Sequence, residues 1–256
     1  MRAFESLLLR AEWTKLRTDP GMGRLLLAMV GLTVAASAVV LAGSGCGAGG
    51  CVTDPARLSL TGVVVGQAVA VVLAATVIGG EYPTGMIRTT FAAMPRRTGV
   101  LAAKAAVVSG AVAAAGAVAV LASLGAGALI LGSKGYPTPS LADGPTLRAV
   151  AGSVLYLVLV GLLALGVATA FRNAVSAVGV VLGLLYLLPI VTRVVIDPDW
   201  QRRLDGISLF TAGLSVQTTK DVAAQPFGPG HGLAVAAGWA AVALLGGWLT
   251  LRRRDA

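Results

Sequence analysis

Long uncharged blocks of small apolar residues constrain this chain more than any other feature. A helix of about 20 mostly apolar residues crosses a lipid bilayer. Hydrophobic residues make up 56% of the chain and charged residues only 12%, whereas soluble domains carry about 25% charged residues. The sequence therefore predicts an all-α polytopic membrane protein, a single domain over residues 1–256 with six transmembrane helices, at 25–42, 60–80, 105–132, 149–171, 174–196 and 232–251.

The distribution of Lys and Arg between these blocks predicts the orientation. If the N-terminus lies inside, nearly all of the net charge of +9 falls in the inner segments. Positive loops stay on the cytoplasmic side, so we expect both termini there, in the cell membrane, as a multi-pass protein of a bacterial plasma membrane. The basic residues border the spans and do not cluster on a folded face, so they are expected to meet membrane lipid rather than nucleic acid.

Residues 3–18, "AFESLLLRAEWTKLRT", precede the first span. The mixture of Trp13 with Arg10, Lys15 and Arg17 suits an amphipathic helix that lies in the membrane interface. An ordinary juxtamembrane leader is the alternative interpretation. The Asp-Pro-Gly sequence at residues 19–21 predicts that the helix ends before the first span begins.

Residues 81–104 form the largest inner loop. Glu81 directly follows a span, Pro83 predicts a turn, and "TGMIRTTFAAM" predicts a short helix that ends at Pro95. A charged helix parallel to the membrane would be a docking surface for another protein. A basic loop that only sets the topology is the alternative, and charge alone does not decide between them.

Cys46 and Cys51 lie in a glycine-rich outer loop, "GSGCGAGGC". They either form a small disulfide loop or remain two unpaired thiols. Without a histidine partner they do not make a metal site. The five spans that follow and the long basic leader fit a retained membrane anchor better than a cleaved signal peptide.

The sequence offers no catalytic constellation. No Asp, Glu or His lies deep in a predicted span, and His231 is the single histidine. The phosphate-binding pattern G-x-x-x-x-G-K-[ST] is missing, so ATP hydrolysis is not expected from this chain. We expect neither enzymatic activity nor a metal or cofactor.

Two G-x-x-x-G patterns occur in predicted spans, at residues 62–66 and 179–183. Such patterns let helices approach closely. Packing within the bundle and dimerisation between chains are both open interpretations.

The loop sequence "GEYPTGMIRTTFAAMPRRTGVLAAKA" resembles the segment between the second and third helices of ABC-2 type transporter permeases, and the opening "RAEWTKLRT" is similar to the start of a subgroup of them. The positions that carry the likeness are Glu81, Gly85, Pro95, Arg97, Leu101 and Lys104. Met86 stands where the family frequently has Thr, and the spacing from Gly85 to Pro95 is about one residue longer than usual. The resemblance covers the whole chain.

This resemblance implies a role. Such permeases pair as homodimers or heterodimers, so a second permease copy or a paralogue is an expected partner. They bind separately encoded ABC ATPase subunits through the leader helix and a coupling helix in the first inner loop. On this chain the implied coupling residues are Glu81, Tyr82, Gly85, Arg88, Pro95 and Arg97.

The resemblance also implies that residues 207–219 re-enter the membrane as an exit gate. The expected function is the permease subunit of an ATP-driven exporter for a hydrophobic or amphipathic compound, such as an antibiotic, a peptide or a lipid. A non-transport membrane protein, serving as an immunity factor, anchor or sensor, is the alternative.

Overall fold

The computed structural model describes residues 2–44, 54–87, 89, 97–194, 197–220 and 228–253, and all regular structure in these ranges is helical. The helices are α1 (Arg2–Thr18), α2 (Pro20–Gly43), α3 (Pro55–Ser59), α4 (Val63–Gly79), α5 (Arg97–Ser133), α6 (Gly144–Phe171), α7 (Ala174–Val194), α8 (Pro198–Ile207), α9 (Leu209–Leu214) and α10 (Pro229–Arg253).

Asp-Pro pairs start three of these helices. Asp19, Asp54 and Asp197 each cap a helix whose first residue is proline, and each carboxylate accepts a backbone N–H of the first turn. Proline suits this position because its missing N–H would have no partner there and its φ is already helical. As predicted, α1 ends at Thr18, directly before this signal.

Six apolar helices alternate in direction along the chain. Asp54 lies just before α3 and Glu81 lies just after α4, so α4 runs in the direction from Asp54 to Glu81. We call the two ends of the bundle the Asp54 end and the Glu81 end. α2, α5 and α7 run towards the Asp54 end, and α4, α6 and α10 run towards the Glu81 end. As a result, α1 and the last turn of α10 lie at the same end.

Helix α6 is the centre of the bundle. In its most apolar stretch 56% of the residues are buried, more than in any other long apolar helix of the described residues. It packs on α4, α5, α7 and α10. Gly166 permits the contact with α10, since a Cβ at this position would lie 2.5 Å from the backbone carbon of Ala243.

Five helices of the described residues are long and apolar enough to cross a membrane. The predicted second span is shorter than expected: α4 has 17 residues and begins at Val63, because Leu60 ends the separate short helix α3. Gly62, between them, lies against α2, where its N–H donates to the Ser37 hydroxyl at 3.0 Å. The G-x-x-x-G pattern that begins at Gly62 therefore packs within the bundle, because Gly66 also faces α2, at Thr33.

Helix α5 is longer than predicted. It has 37 residues and starts at Arg97 rather than at Ala105. At its other end the Lys134 ammonium donates to the carbonyls of Leu41, Ala42 and Ser44, at 3.0, 2.9 and 3.2 Å. These carbonyls lie at the end of α2, where the helix leaves its last carbonyls without a backbone donor, so the lysine fixes the end of α5 to the end of α2.

The predicted fourth and fifth spans, which only two residues separate in the sequence, form a tight hairpin. Arg172 ends α6 in the left-handed region at φ 56°, and the Asn173 side chain caps α7 by accepting the Ser176 N–H at 3.0 Å. Within α7, residues Gly183–Leu187 form a π-helical turn just before Pro189. Proline removes one backbone donor from a helix, and the wider turn lies directly before the residue that interrupts the regular hydrogen bonding.

A candidate coupling site at the Glu81 end

Helix α1 packs lengthwise on the start of α5. From Leu8 to the end of α1 the buried residues are Leu8, Glu12 and Leu16, and their spacing of four places them on one face of the helix. Leu8 contacts Val100 and Ala103, and Leu16 contacts Val107 and Ala111. The buried acid Glu12 therefore sits between two apolar contacts.

Four charged side chains meet where α1, α5 and the end of α4 converge. We call Glu12, Lys15, Glu81 and Lys104 the charge cluster. The Lys104 ammonium donates to Glu12 Oε2 at 2.8 Å, to Glu81 Oε1 at 2.7 Å and to the Val77 carbonyl at 3.3 Å. The Lys15 ammonium donates to Glu12 Oε1 at 3.0 Å and to Glu81 Oε1 at 3.1 Å.

Because the charge cluster is buried, the loss of any one of its ion pairs would destabilise the fold. Lys104 is fully buried, Glu12 is 5% exposed and Glu81 is 6% exposed. A buried charge is tolerated only when it is paired and hydrogen-bonded, and removing one partner leaves the others unpaired at high cost. The charge cluster balances two acids against two bases, so its three helices are held together by charges that cannot be separated cheaply.

The pKa values follow from this arrangement. Burial alone would raise the pKa of Glu12, but the charges and hydrogen bonds of Lys104 and Lys15 outweigh it and hold this pKa below its ordinary value. Burial would likewise lower the pKa of Lys15, and the two carboxylates beside it raise this pKa above its ordinary value instead. Both groups are therefore charged across the neutral range.

A cavity of about 460 Å³ opens beside the charge cluster. Its lining includes Glu12, Lys15 and Glu81, together with Asp19 and Thr84. The second carboxylate oxygen of Glu81, Oε2, is buried and has no hydrogen-bond partner among the described residues. An unsatisfied charged oxygen is costly, and the cavity beside it has room for a donor.

The loop after α4 folds back onto its own first residue. The Ile87 N–H donates to the Glu81 carbonyl at 3.2 Å, and Gly85 allows the turn with a φ of 70°. The Tyr82 ring lies against Arg172, whose guanidinium carbon is 5.9 Å from the ring centroid. Burial raises the pKa of the Tyr82 hydroxyl, so it stays protonated.

The structure places the predicted site residues at several positions. Glu81, Tyr82 and Gly85 belong to the folded loop, and Lys15 belongs to the charge cluster. Arg10, Trp13 and Arg17 are exposed on α1, and Arg97 starts α5. Arg88, Pro95, Cys46 and Cys51 lie outside the described residues, so the short coupling helix and the possible disulfide stay predictions.

Sequence reasoning did not foresee the role of Glu12. Its signal is local: a single acid lies four residues from a leucine on each side, at Leu8 and Leu16, where an amphipathic helix would place a third apolar residue. Such a position indicates a buried partner of opposite charge. That partner, Lys104, lies 92 residues further along the chain.

The predicted re-entrant segment is held at the Asp54 end. It folds as α9 and a 3-10 turn, with Leu209, Ala212 and Val216 buried. At the last residue of the segment, the Asp54 carboxylate accepts the Thr219 N–H and the Thr219 hydroxyl, each at 2.6 Å. These bonds outweigh burial and lower the pKa of Asp54. The depth of this segment in a membrane stays a prediction.

The comparison with protein families gives one match, and the comparison with curated proteins gives none. A family model described as "ABC-2 family transporter protein" matches residues 8–190. The match begins at Leu8, on the buried face of α1, and continues into α7, so it includes the whole charge cluster. It covers more than half of the chain, and the chain therefore belongs to the ABC-2 transporter family, whose members are membrane permease components of ABC transporters and are not themselves catalytic.

Proposed function

We propose that the chain is the transmembrane subunit of an ATP-driven exporter. In this proposal six helices span the membrane, both chain ends lie in the cytoplasm, and a separately encoded ATPase docks at the Glu81 end. A second permease copy or paralogue completes the path for a hydrophobic or amphipathic compound.

The alternating directions of the six apolar helices support this topology. α4 is roughly 26 Å long at 1.5 Å per residue, a little less than the ~30 Å hydrocarbon core. The Glu81 turn and helix α3 continue the chain at its two ends. The strongly basic Glu81 end then faces the cytoplasm, as the positive-inside rule requires.

The charge cluster is the observation that carries the proposal. It joins the two elements through which this family contacts its ATPase, the N-terminal helix and the first inner loop, to the membrane helix α5. Because separating the cluster would expose unpaired charges to the interior, α1, the Glu81 loop and α5 are expected to move as one unit. A displacement imposed by an ATPase at the surface would then reach the membrane helices.

The composition of the bundle supports an apolar cargo. Between Leu25 and Gly79 the sequence has one acidic residue, Asp54. It lies in the connection before α3 and not in an apolar helix. A path between two such bundles would present aliphatic surface, which suits a hydrophobic or amphipathic molecule. Membership of a transporter family favours this function over an anchor or sensor.

The test separates docking from coupling. The chain is expressed together with the genes that flank its own, and co-purification of a P-loop ATPase, ATP hydrolysis and export are measured. Arg88→Glu reverses a charge in the predicted coupling helix and is expected to reduce co-purification. Glu81→Ala removes a member of the charge cluster and is expected to keep the ATPase bound while export falls. Arg253→Gln, an exposed change on α10 at the same end, is the control.

Two results would overturn the proposal. The first is that no P-loop ATPase co-purifies with the unaltered chain. The second is that Arg88→Glu and Glu81→Ala both leave ATPase binding and export at the level of Arg253→Gln.

A further inference from the structure

A second cavity, of about 330 Å³, lies at the Asp54 end, opposite the candidate coupling site. It is enclosed by α3, the end of α7, and helices α8 and α9. Its walls are of two kinds. Pro189, Phe210 and Leu214 form an apolar side, and Arg57, Arg193, Gln201 and Asp205 bring polar groups to it.

The donors of this cavity are free, whereas its hydroxyls are engaged. Within the described residues, the guanidinium groups of Arg57 and Arg193 have no hydrogen bond or ion pair, and neither has the Gln201 amide. By contrast, the Thr192 hydroxyl donates to the Pro189 carbonyl at 2.9 Å and the Ser215 hydroxyl donates to the Ala212 carbonyl at 2.6 Å. The cavity therefore offers N–H donors and positive charge, and a ligand for it needs acceptor oxygens.

The position of the cavity indicates the membrane–water boundary. Arg193 belongs to the last turn of the apolar helix α7, where a long cationic side chain reaches the headgroup layer. On the neighbouring α8, Trp200, Arg203 and Ile207 are exposed at spacings of three and four, so they share one outward face. Tryptophan beside arginine on an exposed helix face is typical of the depth of lipid headgroups.

We propose that this cavity binds the anionic headgroup of a phospholipid. The guanidinium groups of Arg57 and Arg193 hold the phosphate oxygens, because arginine matches phosphate geometry with two parallel N–H donors. The apolar side receives the first carbons of the lipid. The two arginines come from α3 and α7, so a bound headgroup ties the short helix after the first outer loop to the end of a membrane helix.

Asp205 is the one acid in the lining, and it opposes an anionic ligand. This gives the proposal a test in both directions. Neutralising the arginines should weaken lipid binding, and neutralising Asp205 should strengthen it. A gain in binding cannot come from a misfolded protein.

The experiment is a native mass spectrometry titration of the full chain, purified in detergent, with phosphatidylglycerol. Phosphatidylcholine with the same acyl chains and inorganic phosphate are titrated in parallel. We expect one retained phosphatidylglycerol, and a loss of about tenfold in its affinity for each of Arg57→Gln and Arg193→Gln, as for the loss of a hydrogen bond between charged groups. Asp205→Asn should raise the affinity severalfold.

Arg202→Gln is the matched control, since Arg202 is exposed on α8 but does not line the cavity. Its effect should stay below about twofold at 0.15 M salt, because it removes the same charge without the hydrogen bonds and salt screens an exposed charge that does not contact the headgroup. Three results would overturn the proposal: equal retention of phosphatidylcholine, equal losses for Arg202→Gln and the two cavity variants, or full displacement of the lipid by inorganic phosphate, which would make a free phosphate the ligand.

Discussion

Lys104 shows how one side chain joins three parts of this protein. Its ammonium is fully buried and contacts a carboxylate from α1, a carboxylate from the loop after α4 and a carbonyl of α4 itself. From the sequence alone it is a basic residue near the start of a span, where the positive-inside rule already explains it. Its specific role could not be predicted, because the acids that pair with it lie far away in sequence and only the fold brings them within reach.

Replacement of Lys104 by methionine is expected to destabilise the protein by about 3–5 kcal/mol, because Glu12 and Glu81 lose the fully buried one of the two cations that pair with them. The midpoint of thermal unfolding in detergent measures the change. A triple variant, Lys104→Met with Glu12→Gln and Glu81→Gln, should recover much of the loss, since it also removes the unpaired charges. Equal instability of the single and triple variants would contradict the assigned role of the ion pairs.

The charge cluster also predicts how stability depends on pH. The pKa of Glu12 is lowered in the fold, so its contribution is complete above the ordinary value of 4.5 and is lost as the pH falls through the lowered pKa. The pKa of Lys15 is raised, so its contribution is complete below 10.5 and is lost as the pH rises through the raised pKa.

We therefore expect the unfolding midpoint to be nearly constant between about pH 5.5 and 9.5 and to fall outside this range. Glu12→Gln should lower the midpoint at pH 7 and reduce the decline on the acid side. A decline centred near pH 6.5, where histidine titrates, would show that another group controls stability.

At the scale of elements, the apolar blocks predicted the ends of the helices correctly where polar or helix-breaking residues separate one helix from the next. Asp19-Pro20 separates α1 from α2, and Arg172-Asn173 separates α6 from α7, as the sequence indicates. The break between α3 and α4 was missed, because residues 60–66 read as one continuous apolar block and only the contact of Gly62 with α2 requires a turn there. The early start of α5 was missed because Arg97 and Lys104 favour a loop until their partners are known.

The packing of α6 on α10 gives a prediction at this scale. A Cβ at Gly166 would lie 2.5 Å from backbone atoms of α10, so no side-chain rotation relieves the clash. Gly166→Ala should force the two helices apart and lower the unfolding midpoint by several degrees or more. Gly179→Ala, on α7 where nothing lies within 4 Å of an added Cβ, should leave the midpoint unchanged or raise it, because alanine favours a helix. Equal effects would mean that α6 and α10 are not in close contact.

At the scale of the whole molecule, the charge asymmetry and the alternating helices make the topology testable. A fluorescent protein fused after Ala256 should fluoresce, because it folds in the cytoplasm. Alkaline phosphatase fused after Asp143, in the connection between α5 and α6, should be active, because it matures outside the cytoplasm. If α4 did not cross the membrane, five spans would place the two chain ends on opposite sides, and the fusion at Ala256 would be dark.

Helix α5 is held near both of its ends, at Lys104 by the charge cluster and at Lys134 by the last carbonyls of α2. These two residues are about 45 Å apart along an unbroken helix at 1.5 Å per residue. A rod of this length acts as a lever: a tilt of about 10° around the Lys104 end moves the Lys134 end by roughly 8 Å. The end of α2 and the start of the first outer loop would travel with it, so a small rotation on one side of the membrane becomes a displacement of several ångströms on the other.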